Sequence, residues 1–147
     1  CIIHPYSNKS HDGFLGDSIL GSWINLGAGT ITSNMKNNYQ PIRVSWDGNN
    51  YESGRQFLGS IIGDHVKTAI GVRLNTGTLI GPFCNVFQAD FPPRAIPSFS
   101  WGNGTHELEK AIQTAELMLK RRSLALSKTQ IKLITDLAED HTHFVHF

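Results

Sequence analysis

Residues His11–Asn34, HDGFLGDSILGSWINLGAGTITSN, decide the fold. From Leu20 the segment advances in six-residue steps. Leu20, Leu26 and Thr32 lead, Gly21 and Gly27 follow the first two leaders, and Ile24 and Thr30 stand four places after them. The same phase returns downstream with Ile62, Thr68, Leu74, Ile80 and Val86 as leaders. Val66, Val72, Thr78 and Cys84 come four places later, with glycine after the leader at Gly63 and Gly81. Neither a helical period of about 3.6 nor a strand period of about 2 produces this spacing. A hexapeptide repeat predicts an all-β solenoid, a parallel β-helix of short flat faces joined by tight turns. Leaders point inward and stack from coil to coil at about 4.8 Å, and glycine lets the chain bend at a corner. The ends of such a stack expose unpaired backbone and call for caps or partners. A sandwich with glycine-rich turns is the alternative, but its strands are not locked to a six-residue phase.

Working outward, residues 1–13 (CIIHPYSNKSHDG) pass from an apolar start to a polar turn and read as the end of a preceding coil. A first residue that is Cys rather than Met, in mid-strand sequence, suggests a piece of a longer protein. Residues 33–57 break the period. They hold two strand-like bits, IRVSW and RQF, around the turn signal DGNN, and predict an extended loop or hairpin leaving one corner. Loops of that length on a regular scaffold are usually functional. The proline- and aromatic-rich segment 89–104 ends the repeat and is expected to cross and plug the last coil, with Phe99 and Trp101 as packing anchors. Thr105 is expected to cap a helix carrying Leu108, Ala111, Ile112, Ala115 and Leu119 on one stripe. Ser127 and Gln130 form a capping box for a second helix with Ile131, Ile134, Leu137 and Ala138 inside. The cations of Leu119–Arg122 suit a helix C-terminus better than a phosphate site. The expected organisation is a β-helix over 1–100, with the loop at 33–57, and a helical hairpin over 101–147.

The 147 residues suit one domain, or one with a small appendage. A net charge of +1 with 17% charged and 39% hydrophobic residues excludes a disordered or strongly basic chain, and with it wholesale nucleic-acid binding. No apolar run approaches the ~18 residues of a membrane span, and no signal peptide is visible. Two cysteines, Cys1 and Cys84, make no disulfide framework, so a cytoplasmic location is expected.

With the repeat and the His11–Asn25–Asn34 set in hand, the His11–Asn34 segment resembles, without a gap, the acetyltransferase domain of the bifunctional enzymes that acetylate glucosamine-1-phosphate and uridylylate the product. The downstream stretch FLGSIIGDHVKTAIGVRLNTGTLIGPFCNVF, with PSFSWG and paired helices, is more similar to a variant branch of sugar-nucleotidyltransferase-like proteins of Bacteroidetes type and archaeal relatives. The resemblance implies a left-handed β-helix, a homotrimer with sites between subunits, acetyl-CoA as co-substrate, and a place in nucleotide-sugar and cell-wall biosynthesis. Mg2+ would serve only a nucleotidyltransferase domain upstream of these residues. By the same resemblance His11 falls on the general base, and Asn25 and Asn34 on contacts to sugar and acetyl groups. Phe14 stands where a tyrosine is usual, and Gln40 where a lysine is usual, with Arg43 near enough to replace its charge. Ala28, Ala69 and Ile70 fall near the coenzyme.

The chemistry is plausible on its own terms. N-acetylation needs an amine, a thioester carbonyl and a proton acceptor, a role that imidazole fills near neutral pH. Donors for the oxyanion come from corner amides or asparagine. No covalent nucleophile is needed, so Cys84, in the inward small-residue register, reads as core. No metal is expected. His65, beside Asp64, is a secondary candidate facing a subunit groove, and His141, His143 and His146 read as a frayed tail. Two other readings compete. A zinc lyase of the γ-carbonic-anhydrase type needs converging histidines, and the spacing of His4, His11 and His65 does not suggest convergence. A non-catalytic trimerising and regulatory β-helix is kept open by Phe14 and Gln40.

Overall fold

The computed structural model describes residues 1–141. The chain runs through β1 (Ile2–Ile3), β2 (Ile19–Leu20), β3 (Asn25–Leu26) and β4 (Ile31–Thr32), then a hairpin of β5 (Arg43–Trp46) and β6 (Asn49–Glu52). It continues through β7 (Ile61–Ile62), β8 (Lys67–Thr68), β9 (Arg73–Leu74), β10 (Leu79–Ile80) and β11 (Asn85–Val86). β12 (Ala95–Ile96), β13 (Ser100–Trp101) and β14 (Gly104–Thr105) precede α1 (Leu108–Lys120) and α2 (Lys128–His141).

Three sheets are visited in rotation. The first is ordered β1-β2-β7-β10-β12, the second β14-β13-β11-β8-β3, and the third β4-β9. Pairing is parallel throughout the first and third sheets, and in the second except at β13–β14. Ile61 pairs with Leu79 and Lys67 with Asn85, so each return to a sheet closes three six-residue steps. Mostly parallel two-residue strands followed by two helices are compatible with a β-helix.

The repeat phase explains the core. In β2, β3, β4 and β7 to β12 the second strand residue, the leader or its equivalent, is buried while the first faces outward. The residues four after the leaders, among them Ile24, Thr30, Val66, Val72, Thr78 and Cys84, are also buried. Two inward positions per step form one column of apolar contacts from Leu20 to Ile96. Burial pushes the Cys84 thiol up to about 11, which keeps it a neutral core group.

At the corner after the leader the backbones of successive turns approach closely. A Cβ on Gly81 would lie 2.5 Å from the Ser98 Oγ and 2.8 Å from its Cα. Gly81→Ala is therefore expected to cost about 1–3 kcal/mol, read as a lower urea midpoint.

A second corner is built differently. Tyr6, Trp23, His65, Phe83 and Phe99 all adopt left-handed backbone, with φ between 58° and 64°. They stack one turn above another, with centroid spacings of 4.1 Å for Tyr6–Trp23, 6.1 Å for Trp23–His65, 4.7 Å for His65–Phe83 and 5.1 Å for Phe83–Phe99. Here stacking offsets the cost of left-handed bulky residues.

The period-breaking segment leaves after β4 and returns before β7. Its hairpin turns at Asp47-Gly48, both at positive φ (51° and 69°), as a two-residue loop between right-twisted strands requires. Trp46 then pairs directly with Asn49, so the second strand is NNYE and not RQF. Ile42, fully buried, anchors the base of the hairpin near Gly77.

Three further expectations are corrected. Segment 89–104 does not plug the last coil: β12 and β13 extend the first and second sheets by another turn. Its prolines, Pro92, Pro93 and Pro97, sit just outside the two-residue strands and so do not interrupt the ladder. Phe99 is buried as an anchor, but Trp101 is 49% exposed. Thr105 does not cap α1; it lies in β14 opposite Ser100, and Glu107 takes the N-cap position without a side-chain cap bond.

The capping box of α2 forms as read. The Ser127 N–H donates to Gln130 Oε1 (2.8 Å) and the Gln130 N–H to Ser127 Oγ (3.2 Å). Ala111, Ala115 and Ile134 pack with Phe83 and Phe99, which ties the helices to the aromatic corner. His143 and His146 lie outside the described residues.

Candidate functional site

The register places the sequence-predicted residues. Asn8 bridges to Asn25, and Asn25 pairs with Lys67. Continuing that register past the strands stacks His11, Ala28 and Ile70 on three successive turns at the corner between the second and third sheets. Backbone bonds fix this column: the Gly29 N–H donates to the Asp12 carbonyl (3.2 Å) and the Gly71 N–H to the Ala28 carbonyl (2.7 Å). Ala69 lies one residue before, its backbone against Gly27. His11 is exposed, and so is Ile70, at 79%. Lys9 clasps the turn, its Nζ donating to the His11 carbonyl (3.2 Å) and the Asp12 carbonyl (2.8 Å).

The other predicted residues fall elsewhere on the wall. Asn25 stands on the outer face of the second sheet, where its Oδ1 accepts from Asn8 Nδ2 at 3.3 Å. Asn34 stands past the far end of the third sheet, and its Nδ2 donates to Asp17 Oδ2 at 2.7 Å. Phe14 belongs with Asn34: a Cβ at Gly16 would meet both the Phe14 ring and Asn34 Nδ2. The single chain thus joins His11 to Ala28, Ala69 and Ile70, and Phe14 to Asn34, while Asn25 belongs to neither group.

The loop residues are differently engaged. Gln40 is exposed, its N–H donating to Asn38 Oδ1 at 3.2 Å. Arg43 is in β5 and its Nε donates to Glu52 Oε1 across the hairpin at 2.5 Å, which compensates the charge expected to replace a lysine.

His65 does not face a groove. It is 7% exposed inside the aromatic corner, with its Nδ1 unpartnered. Burial, then the charge of Lys67, lowers its pKa to about 4 against an opposing effect of Asp64. The ring is neutral at physiological pH and acts as a packing group. Among the described residues, no three His, Cys, Asp or Glu side chains group closely enough to hold a metal.

Two features escaped the sequence reading. Lys67 occupies the outward position before the leader Thr68, so its direction was legible from the repeat. Its Nζ donates to the His65 carbonyl at 3.0 Å, and burial lowers its pKa to about 8. His106 is 5% exposed just ahead of α1, where no periodic signal marks it.

No protein-family model matches the chain. A bifunctional sugar-1-phosphate nucleotidylyltransferase/acetyltransferase of Sulfurisphaera tokodaii is 34% identical over 86 residues, 58% of this chain and 21% of that protein. The bifunctional protein GlmU of Methanocaldococcus jannaschii is 40% identical over 97 residues, 66% of this chain and 24% of that protein. GlmU of Methanococcus vannielii is 39% identical over 91 residues, 58% of this chain and 22% of that protein.

The chain is a relative of the GlmU-type bifunctional proteins.

It spans about a fifth of the length of these GlmU-type relatives, a similarity consistent with their C-terminal acetyltransferase domain. No helix among the described residues is long and apolar enough to cross a membrane.

Proposed function

We infer that residues 1–100 form a left-handed β-helical acyltransferase domain, with α1 and α2 as its helical extension. It transfers the acetyl group of acetyl-CoA to the amine of an amino-sugar 1-phosphate, glucosamine-1-phosphate first among them, in nucleotide-sugar biosynthesis in the cytoplasm. The observation that carries this reading is the corner column: His11, an exposed imidazole, stacks in register with Ala28 and Ile70, and Ala69 lies beside them.

In the proposed reaction His11 accepts a proton from the amine as its nitrogen attacks the thioester carbonyl. The C–N bond forms, the C–S bond breaks, and the proton passes to the departing coenzyme thiolate, which leaves as the thiol. Corner N–H groups and the Asn25 and Asn34 amides are the candidate donors to the oxyanion and the sugar.

The separation of these groups over two sheets and the corner between them supports assembly. The outward positions of the first sheet are apolar, with Ile2, Ile19 and Ile61 exposed at 59%, 42% and 37%. Such a stripe suits burial against another copy. The assembly proposed is a homotrimer in which the His11 corner of one subunit meets the wall of the next, with acetyl-CoA in the groove between. The phosphate sits toward Phe14, Gln40 and the loop.

A second reading has its own support. Phe14 brings no hydroxyl, Gln40 no charge, and the charge of Arg43 is compensated by Glu52, which favours a non-catalytic trimerising module of a sugar-1-phosphate nucleotidyltransferase. A thiol-release assay with acetyl-CoA and glucosamine-1-phosphate or galactosamine-1-phosphate separates the two. Release that depends on the amino sugar supports the transferase; none with either sugar, from a trimeric protein, leaves the module.

A further inference from the structure

The proposed transfer gives a role to Asn34 but none to Asp17, the charged group it touches. Asn34 stands one turn on from Asp17, at the root of the 33–57 loop, and its Nδ2 donates to Asp17 Oδ2 at 2.7 Å. The backbones of the two residues are held separately. Where the loop rejoins the stack, the Leu58 N–H donates to the Asn34 carbonyl at 2.9 Å and the Gly59 N–H to the Asp17 carbonyl at 2.8 Å. Asp17 itself is exposed and left-handed, with φ of 47°. Glycine would meet that backbone demand, so the turn does not need a carboxylate. The side chain contributes nothing to the core either.

The carboxylate decides which way the Asn34 amide turns. An ionised carboxylate has no hydrogen to give, so Nδ2 faces it and Oδ1, on the other branch of Cγ, faces away. The negative charge strengthens the bond and polarises the amide, which makes Oδ1 a better acceptor. Asn25 is not fixed in this way, because its partner Asn8 is itself an amide that can turn with it. Gly16 keeps the space between Asn34 and Phe14 open: a Cβ there would lie 3.3 Å from Asn34 Nδ2 and would strike the Phe14 ring. Asn34, half-buried, thus presents one defined polar end beside an exposed ring.

We propose, resting on the transfer inferred above, that Asp17 is a positioning residue that makes Asn34 a hydrogen-bond acceptor, with Oδ1 taking an N–H or O–H of the amino sugar. This narrows the reaction. Asn34 leaves the set of oxyanion donors, and that task falls to Asn25 and the corner N–H groups. An amino sugar carries donors at its hydroxyls and at its amine, so a fixed acceptor favours one orientation of the ring. A freely turning amide would accept from one pose and donate to another. Asp17 touches no reacting atom. It acts through Asn34.

Thiol release with acetyl-CoA and glucosamine-1-phosphate tests the pair. Asp17→Gly, which keeps the left-handed turn, should lower kcat/KM for the sugar by about tenfold, the effect of one well-placed hydrogen bond, and leave KM for acetyl-CoA unchanged. In an Asn34→Ala background the same change should lower it by less than about twofold, because the two losses are one interaction. Combining Asp17→Asn with Asn34→Asp should return kcat/KM to within about threefold of the wild type, since position 34 again offers an oxygen and residue 17 a donor. Asn34→Asp alone sets two carboxylates face to face and should not. Additive losses in the double variant would overturn the coupling. An exchanged pair as slow as Asn34→Ala would overturn the acceptor assignment and make Asn34 a donor. A wild type that transfers acetyl, matched by Asp17→Gly, would remove the Asp17 role alone. A wild type that transfers to neither amino-sugar phosphate would remove the transfer itself, and this role with it.

Discussion

His11→Ala is expected to lower acetyl transfer to glucosamine-1-phosphate by about 10²- to 10⁴-fold, the usual contribution of a positioned general base. The loss should fall on kcat, because the proton leaves the amine as the C–N bond forms, whereas the proposed coenzyme contacts, Ala28, Ala69 and Ile70, are on the neighbouring turns. Stability should change by less than about 0.5 kcal/mol, since the ring is exposed and contributes nothing to the core. The turn itself persists in the variant: Lys9 holds the carbonyl of residue 11, not its side chain. Steady-state rates and urea midpoints of both proteins check the pair of expectations. A variant that keeps its rate within about threefold of the wild type would remove His11 as the base and favour the non-catalytic module. A variant that loses both rate and stability would show that residue 11 holds the corner.

How far the sequence carried this reading follows from what repeats and what does not. The inward columns were legible because each six-residue step spends two positions on the core, and a buried Leu74 or Val66 has the same neighbours on every turn. The hairpin was legible through DG, since Asp47 and Gly48 answer a local backbone demand. Segment 89–104 was not. Its prolines look like a terminator until the strands are seen to be two residues long, which leaves room for Pro92, Pro93 and Pro97 at the corners. The aromatic corner was missed because left-handed backbone at Trp23 or Phe83 contradicts local preference, and only the stack of five rings stabilises it. Of the site, the His11 column follows from register alone. The Arg43–Glu52 pair depends on which residues the hairpin turn sets opposite each other, a detail the composition of the loop does not hold.

His65 gives the second large effect, on stability. Its pKa is about 4 in the folded protein against an ordinary 6.5, chiefly because burial disfavours the imidazolium. Between pH 6.5 and 4 the unfolded chain binds a proton that the folded chain refuses, so stability falls as the pH drops through that window and levels off below it. The full difference corresponds to about 3 kcal/mol, a large share of the margin of a domain this size. His65→Phe should abolish this part of the acid sensitivity. It should also stabilise the fold at pH 7 by about 1 kcal/mol, because the unpartnered Nδ1 disappears. Phenylalanine suits the position: Phe83 and Phe99 hold the same left-handed backbone at equivalent corners, with φ of 60° and 58°. Urea midpoints at pH 7.5 and 4.5 measure both effects, and subtracting the variant's pH dependence from the wild type's isolates the histidine from the carboxylates that also titrate. Equal pH dependence in the two proteins would mean that the aromatic corner admits a charged ring, by opening to water or by moving Lys67 away.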